Sequence, residues 1–523
     1  MKRRDVMKKM ASLAITPLLP RIAMASSETP NSVGNVRNNM QEKSEMSKKT
    51  AAGDLAVLGV AAAAEAIRNG EISSESYSNA LLQRARTHSD LHSFITIDET
   101  AVLQAARAAD KARAAGATAP LLGVPIGIKD SYLTKGLRTT FGISNLKNFV
   151  PDHDAGSVKQ IKGAGGIVFG KNNLVEMSYG LTGNNKEFGQ VKNPHDQKHV
   201  TGGSSSGSGA SVAARLVPAS LGGDTIGSIR VPASLCGVVG FKPTTGRWPR
   251  DGVAPISHTL DTTGVFARSV EDCMLIDQVV TGDTKSDNSN QSNLKGVKLA
   301  YAPRQYLELV DPDVEAQFKD TIYRLREAGA EIVEVDLGKD FPSLALTTTW
   351  DIFFRETKEA LEHFLHENKI PVTFDEIYSG LKPELKEAWG HLALPSGAGY
   401  ISDKTYNTDL TVARTEIKLR YDRAFIANGA QGLLVPTTPT TAPLIDRQDK
   451  FIIAGQEVSY MTLANNTIPA SSVGLPSISI PIGLARNKLP IGLGIDGPHG
   501  HDRSLLSVAR RVEAVVGALS SPI

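Results

Sequence analysis

The residues best able to do chemistry lie in one stretch, GGSSSGSGASVAARLVPASLGGDTIGSIR, residues 202–230. It opens with serines among glycines, passes through an Ala/Val-rich segment and ends on a second Gly-Ser element, so folding can bring two hydroxyl groups together. Such hydroxyls suit nucleophilic attack on a carbonyl when a neighbouring base removes the proton. A flexible linker has a similar composition, but this run leads into SVAARLVPA, of helical composition, and then into SLGGDTIGSIRVPA, which reads as a short strand. A phosphate loop fits less well, because the Gly-Lys-Ser/Thr that holds a phosphate and the third glycine of the dinucleotide fingerprint are both missing.

Two serine mechanisms stay open at this point. Gly203-Ser204-Ser205-Ser206-Gly207 fits G-x-S-x-G, the nucleophile elbow of α/β-hydrolase esterases, with Ser205 as nucleophile and His258, His363, His366, His391, His499 and His501 available as its base. The other mechanism uses Lys129, which ends the apolar, strand-like run in LLGVPIGIKDSYLTKG. A lysine among Gly, Ile and Val at the end of a buried strand is disfavoured in its charged form. Its pKa then falls from roughly 10.4 toward neutrality, and a neutral amine is a base. The plainer alternative pairs Lys129 with Asp130 as an ordinary surface charge.

The Gly-Ser stretch, GVPIGIKD and CGVVGFKPTTGR together resemble the amidase signature family, over about residues 54–515. The resemblance implies an α/β fold with a large mixed central β-sheet covered by helices on both faces. It also implies a Ser-Ser-Lys triad, with Ser228 of G-S-I-R as nucleophile, Ser204 as a bridging serine with a cis peptide bond, and Lys129 as base, 75 and 24 residues apart. The activity implied is cleavage of a small-molecule amide to a carboxylate and ammonia or an amine, through an acyl-Ser228 ester and without metal, nucleotide or other cofactor. The backbone N–H groups of Thr225, Ile226, Gly227 and Ser228 are the expected oxyanion donors, although many members have glycine where this chain has Ile226. Aligned on Ser204, Ser178 and Tyr179 fall where members line the substrate pocket. Glu176, His195 and His199 read as a surface carboxylate and two loop histidines, with no part in this mechanism. A rival within the family is the amidotransferase A-type subunit, which delivers ammonia to an ATP-dependent partner. A non-catalytic ligand-binding protein of the same fold is a third reading.

These residues need a scaffold. MKRRDVMKKMASLAITPLLPRIAMASSE resembles a twin-arginine export signal: Arg3 and Arg4, a short apolar stretch, and Ala23-Met24-Ala25 as cleavage site. We therefore expect a signal over residues 1–25, used transiently by the export machinery, a polar tether over 26–50 and one catalytic domain over 51–523, in a periplasmic or secreted protein. Export argues against the amidotransferase, since ATP and charged tRNA are cytoplasmic. Removing residues 1–25 changes the net charge from +2 to −3, which leaves no signature of nucleic-acid binding. No apolar run is long enough to span a bilayer. Cys236 lies in an apolar run and reads as a buried free thiol rather than a partner of Cys273, and no metal-ligand spacing occurs. DLAVLGVAAAAEAIRNG and DETAVLQAARAADKARAAG read as helices, each with an Asp start and a Gly stop. GVPIGIK, GGIVFGK, VVGFKP, VKLAYAP and AEIVEVDL read as strands alternating with helices, which predicts a mixed sheet covered on both faces. The stretch from Gly282, GDTKSDNSNQSNLKG, reads as a polar connector. Residues 340–430 are the least family-like; their helices, with Trp350 and Trp389, either cap the site or pack as core. Strand composition returns in GLLVPTTPTTAPLI and LPSISIPIGLARNKLPIGLGIDGP, before a last helix from about Arg503.

Overall fold

The computed structural model describes residues 54–283 and 293–523. The expected export signal and tether, and most of the polar connector after Gly282, lie outside the described residues.

An eleven-stranded mixed sheet forms the centre. In chain order its strands are β1 (Phe94–Thr96), β2 (Pro125–Lys129), β3 (Ile167–Asn172), β4 (Ala219–Asp224), β5 (Val239–Lys242), β6 (Thr262–Ala267), β7 (Lys298–Tyr301), β8 (Glu331–Glu334) and β9 (Leu433–Pro436). A separate hairpin, β10 (Lys450–Ile453) and β11 (Gln456–Ser459), precedes β12 (Ser477–Leu484) and β13 (Pro490–Asp496), which rejoin the sheet. Across the sheet the order is β1-β3-β2-β4-β6-β5-β12-β13-β9-β7-β8. β2 runs parallel to both neighbours, whereas the centre from β4 to β9 is antiparallel. Every residue of β2, β5, β6, β9 and β13 is buried. That is why β2, β5, β9 and β13 read as largely apolar runs rather than as alternating ones: both faces are covered.

The two covering layers can be read from β9. Leu434 packs with Leu325 and Leu505, from helices Pro312–Glu327 and Asp502–Val516, whereas Leu433 and Val435 pack with Ile417 and Phe425 of helix Arg414–Asn428. Successive side chains of a strand point to opposite faces, so these helices lie on opposite sides. Among the described residues, no helix is long and apolar enough to cross a membrane. Cys236 and Cys273 are both buried and unpaired.

Local chemistry sets most element ends. The Asp98 side chain accepts from the Ala101 N–H at 2.9 Å and starts helix Glu99–Ala114, and Gly70, with φ 75°, stops helix Val60–Asn69. Two expectations change. The helix expected from Asp54 is interrupted: a 3₁₀ turn, Leu55–Val57, comes first, and the helix restarts at Val60. The cause is tertiary, because Asp272 accepts from the Ala61 N–H at 2.8 Å and its carboxylate fills the space where a Cβ on Gly59 would stand. Likewise SLGGDTIGSIRVPA is a strand only to Asp224. After α1 (Ser206–Ala213) and β4 the chain forms a loop and then α2 (Arg230–Cys236), closed by Gly237 at φ 69°.

Residues 340–430 are helical, led by α3 (Phe341–Glu367) and followed by Phe374–Gly380, Pro383–Leu392, Asp403–Thr408 and Arg414–Asn428. Their tryptophans are core. Trp389 is fully buried, stacked on Phe374 at 5.5 Å and edge-on to Tyr179 at 4.8 Å, while Trp350 packs on Phe353 and Phe354. Truncating such a ring removes about 3–5 kcal/mol. Trp389→Ala should therefore lower the urea unfolding midpoint by a corresponding amount; a loss below about 1 kcal/mol would mean that this aromatic layer is not packed as described.

Candidate active site

Lys129 ends β2 with its side chain 1 % exposed, and its Nζ lies 2.8 Å from Ser204 Oγ. Burial pulls its pKa down to about 7, opposed by the charges of Asp261 and then Asp224. The ordinary pairing with Asp130 does not occur. Asp130 faces the other side of the strand, where it accepts from the Thr140 N–H at 2.8 Å and lies 3.6 Å from Lys171 Nζ. Alternation along an extended chain places these neighbouring side chains on opposite faces.

The peptide bond between Gly203 and Ser204 is cis, and the Ser204 carbonyl accepts from the Val175 N–H at 3.1 Å. Ser205 is fully buried at the start of α1. Its hydroxyl donates to the Gly223 carbonyl at 3.1 Å and accepts from the Gly223 N–H at 3.2 Å. An elbow nucleophile needs an exposed hydroxyl beside a histidine, so the Ser205 reading is corrected: the middle serine fastens α1 to β4. A strained elbow and a buried helix start share the same Gly/Ser letters, which is why the pattern alone left both open.

Ser228 lies on the loop between β4 and α2, 4 % exposed. Asp224 and Arg230 bracket this loop in a buried two-pronged ion pair, Nε to Oδ2 and Nη2 to Oδ1, each 3.0 Å. The loop is held from inside as well. Thr467 Oγ1 donates to the Ile226 carbonyl at 2.6 Å, the Ser228 carbonyl accepts from the Ser205 N–H at 3.3 Å, and Thr225 Oγ1 donates to Asp261 at 2.7 Å. With the carbonyls fastened, the N–H groups of Ile226, Gly227 and Ser228 have no acceptor among the described residues. Ile226 is not among the residues with positive φ, and its side chain packs into the core with Val231, Leu463 and Ile468. The side chain therefore leaves its N–H usable. Among the described residues no hydrogen bond joins the Ser204 and Ser228 hydroxyls, so the structure brings together Lys129 with Ser204, and Ser228 with the backbone donors.

A cavity of about 550 Å³ opens beside these groups, lined by Lys129, Ser178, Ser204 and Thr225 and walled by Val253, Ile256 and Phe364. Ser178 is thus where the alignment placed it. Tyr179 is not on this lining: its ring is core, against Phe353 and Trp389, and its hydroxyl is 2.7 Å from Thr357 Oγ1. Consecutive residues diverge here because Met177 and Ser178 both have positive φ. Glu176 accepts from the Lys382 N–H at 3.1 Å, His195 Nε2 is 3.2 Å from the Cys236 carbonyl, and the His199 N–H donates to the Asp196 carbonyl at 2.9 Å, so all three are structural; Glu176 is buried rather than at the surface. The sequence reading missed Asp261 and the segment from Arg250 to Ser257, which form one wall of the cavity, and it offered the adjoining His258 only as a base for Ser205. Only their place in space marks them.

Gly227 has φ 143°, and a Cβ there would stand 2.2 Å from Thr467 Oγ1. Gly227→Ala should displace the loop and reduce turnover by about 100-fold or more, as loss of an oxyanion donor does, with unchanged circular dichroism. Retention of more than half the activity would show that these N–H groups are not used.

Residues 77–506 match the family described as "Amidase". The chain is 33% identical to mandelamide hydrolase of Pseudomonas putida, covering 87% of this chain and 91% of that protein. It is 36% identical to the A-type subunit of glutamyl-tRNA(Gln) amidotransferase from Roseiflexus castenholzii, covering 88% and 96%. The solved peptide amidase of Stenotrophomonas maltophilia superposes with a TM-score of 0.74 at 27% identity, covering 89% of this chain and 98% of that one. With a family match over most of its length and the same fold, the chain belongs to the amidase family and is an amide-hydrolysing enzyme.

Proposed function

We propose that the enzyme cleaves a small carboxamide through an acyl-Ser228 intermediate, with Ser204 and Lys129 as proton relay. The observation that carries this reading is the 2.8 Å separation of a buried amine and the Ser204 hydroxyl, on the lining of a cavity that Thr225, at the head of the Ser228 loop, also lines. With its pKa near 7, Lys129 is substantially neutral at physiological pH and can take a proton. Ser228 Oγ attacks the amide carbon, its proton passes to Ser204, and the Ser204 proton passes to Lys129. The carbonyl π electrons move onto oxygen, where the N–H groups of Ile226, Gly227 and Ser228 receive the negative charge; Thr225 anchors the head of that loop. The C–N bond then breaks as the relay returns the proton to nitrogen, which leaves as ammonia or an amine. Water attacks the ester by the same route and frees Ser228. In this reading the Ser228 hydroxyl turns onto Ser204 once substrate fills the cavity, and Ser178 contacts the substrate.

The walls of Val253, Ile256 and Phe364 favour a compact apolar acyl group, in keeping with a relative named for mandelamide. The second reading, an amidotransferase A-type subunit, is favoured by the 36% identity to such a protein. The N-terminal sequence weighs against it, and we place the mature enzyme outside the inner membrane on that ground. Glutaminase activity that rises only with ATP and a partner subunit would favour the amidotransferase instead.

A serine-directed fluorophosphonate should add once, at Ser228. Ser228→Ala should remain unlabelled, and Lys129→Ala should react at least about 100-fold more slowly. An adduct on Ser205 would overturn the mechanism. Because the neutral amine is the active form, the labelling rate should fall about tenfold per pH unit below about 7 and level off above it. Replacing Arg3 and Arg4 by lysine should retain the protein in the cytoplasm; unimpaired export would exclude the twin-arginine route.

A further inference from the structure

Two carboxylates bear on the Lys129 amine, and their surroundings differ. Asp224 is answered by Arg230, which holds both its oxygens at 3.0 Å. Asp261 is held only by neutral donors: Thr225 Oγ1 at 2.7 Å on one oxygen, and the N–H groups of Ile256 and Ser257 at 2.8 and 3.0 Å on the other. Arg250 lies near, but its guanidinium donates to the backbone carbonyls of His258 and Asp261, at 2.8 and 3.2 Å, and not to the carboxylate. Among the described residues no cation forms an ion pair with Asp261. The other titratable groups on the cavity lining are Asp251 and His258 on the Arg250 segment and Glu359, His363 and Glu367 on α3. All five are exposed, where water and salt weaken their fields. Asp261 also lines the cavity, as do Lys129 and Thr225.

We propose that Asp261 is the positioning residue of the hydrolytic site, fixing through Thr225 the head of the loop that bears Ser228 and supplying a negative charge, held in no ion pair among the described residues, that acts on the Lys129 amine. The inference rests on the reading of Lys129 as the base. One carboxylate thereby links the three parts of the site. Its first oxygen holds the loop of backbone donors, its second holds the cavity wall at Ile256 and Ser257, and its charge raises the pH at which the base loses its proton. Burial alone would carry the lysine pKa further down; Asp261 is the leading charge that opposes the fall. Without it the amine would be neutral over a wider pH range but a weaker base, so the proton would be taken less readily in the attack step.

Asp261→Asn removes the charge and can keep the hydrogen bonds. The amide oxygen accepts from the Ile256 and Ser257 N–H groups, and the amide nitrogen donates to a turned Thr225 hydroxyl. The experiment is the pH dependence of the fluorophosphonate labelling rate, which needs no knowledge of the natural substrate. In Asp261→Asn the acid limb should move down by about one pH unit, because loss of a nearby negative charge lowers an amine pKa, and the plateau rate should fall. Thr225→Val, which breaks the hydrogen bond and leaves the charge, should lower the plateau without moving the limb, a split that a purely structural role would not produce. An acid limb in Asp261→Asn that coincides with the wild-type limb overturns the electrostatic role. If the uncharged variant does not fold, Asp261→Glu tests the positioning role: the charge stays, the carboxylate is displaced by a methylene, and the plateau should drop about tenfold with the limb in place. An unchanged plateau there overturns the proposal. A Lys129→Ala enzyme that still reacts at the wild-type rate would remove the base itself, whereas an essential Lys129 with an unmoved limb in Asp261→Asn removes only this inference.

Discussion

Asp224 and Arg230 stand six residues apart, both almost wholly buried, and face each other across the loop they bracket. Neither charge could be buried alone, and removing one partner of such a pair typically costs about 3–5 kcal/mol. Arg230 has further donors, and they go to the Thr467 carbonyl at 2.9 Å and Ser471 Oγ at 2.6 Å. The ion pair thus closes the loop carrying Ser228 and ties it to the segment whose Thr467 hydroxyl holds the Ile226 carbonyl. The free N–H groups of that loop follow from this arrangement. Its carbonyls at Ile226 and Ser228 are turned toward fixed partners, and the N–H groups of Ile226, Gly227 and Ser228 have no acceptor among the described residues.

Among the described residues three lysines are buried, and contacts separate Lys129 from the other two. Lys171 donates to Thr134 Oγ1 and Thr139 Oγ1 at 3.0 and 2.9 Å and to the Tyr132 carbonyl, with Asp130 beyond. Lys242 donates to the Pro243 carbonyl at 2.9 Å. Burial lowers both to about 8 and Lys129 to about 7. Lys129 also faces a serine hydroxyl and a cavity, so its proton has somewhere to come from.

The cavity belongs to neither layer alone. Glu356 of α3, 1 % exposed, accepts from the Thr259 N–H at 3.0 Å, from Tyr406 at 2.6 Å and from Ser257, and His258 approaches it at 3.1 Å. One buried carboxylate therefore joins the helical layer to the segment that forms the cavity wall. The cavity walls thus come both from Val253 and Ile256 and from Phe364 of α3, while Lys129 enters from the end of β2.

The sequence by itself determined the sheet and the family. Apolar runs such as PIGI and VGF are strands because both their faces are covered, and folding sets Lys129 beside Ser204. Capping residues such as Asp98 and Gly70 were legible for the same local reason. Contacts between distant segments were not legible. Asp272 breaking the first helix at Gly59, Tyr179 turning into the core while Ser178 lines the cavity, and Ser205 fastened to Gly223 all depend on neighbours far along the chain. Asp261 carries no motif, and it acquires a role only where folding sets it beside Thr225. Tertiary structure decided these points because hydrogen-bond partners, burial and electric field belong to the packed surroundings of a side chain, whereas strand and cap signals are carried by the local chain.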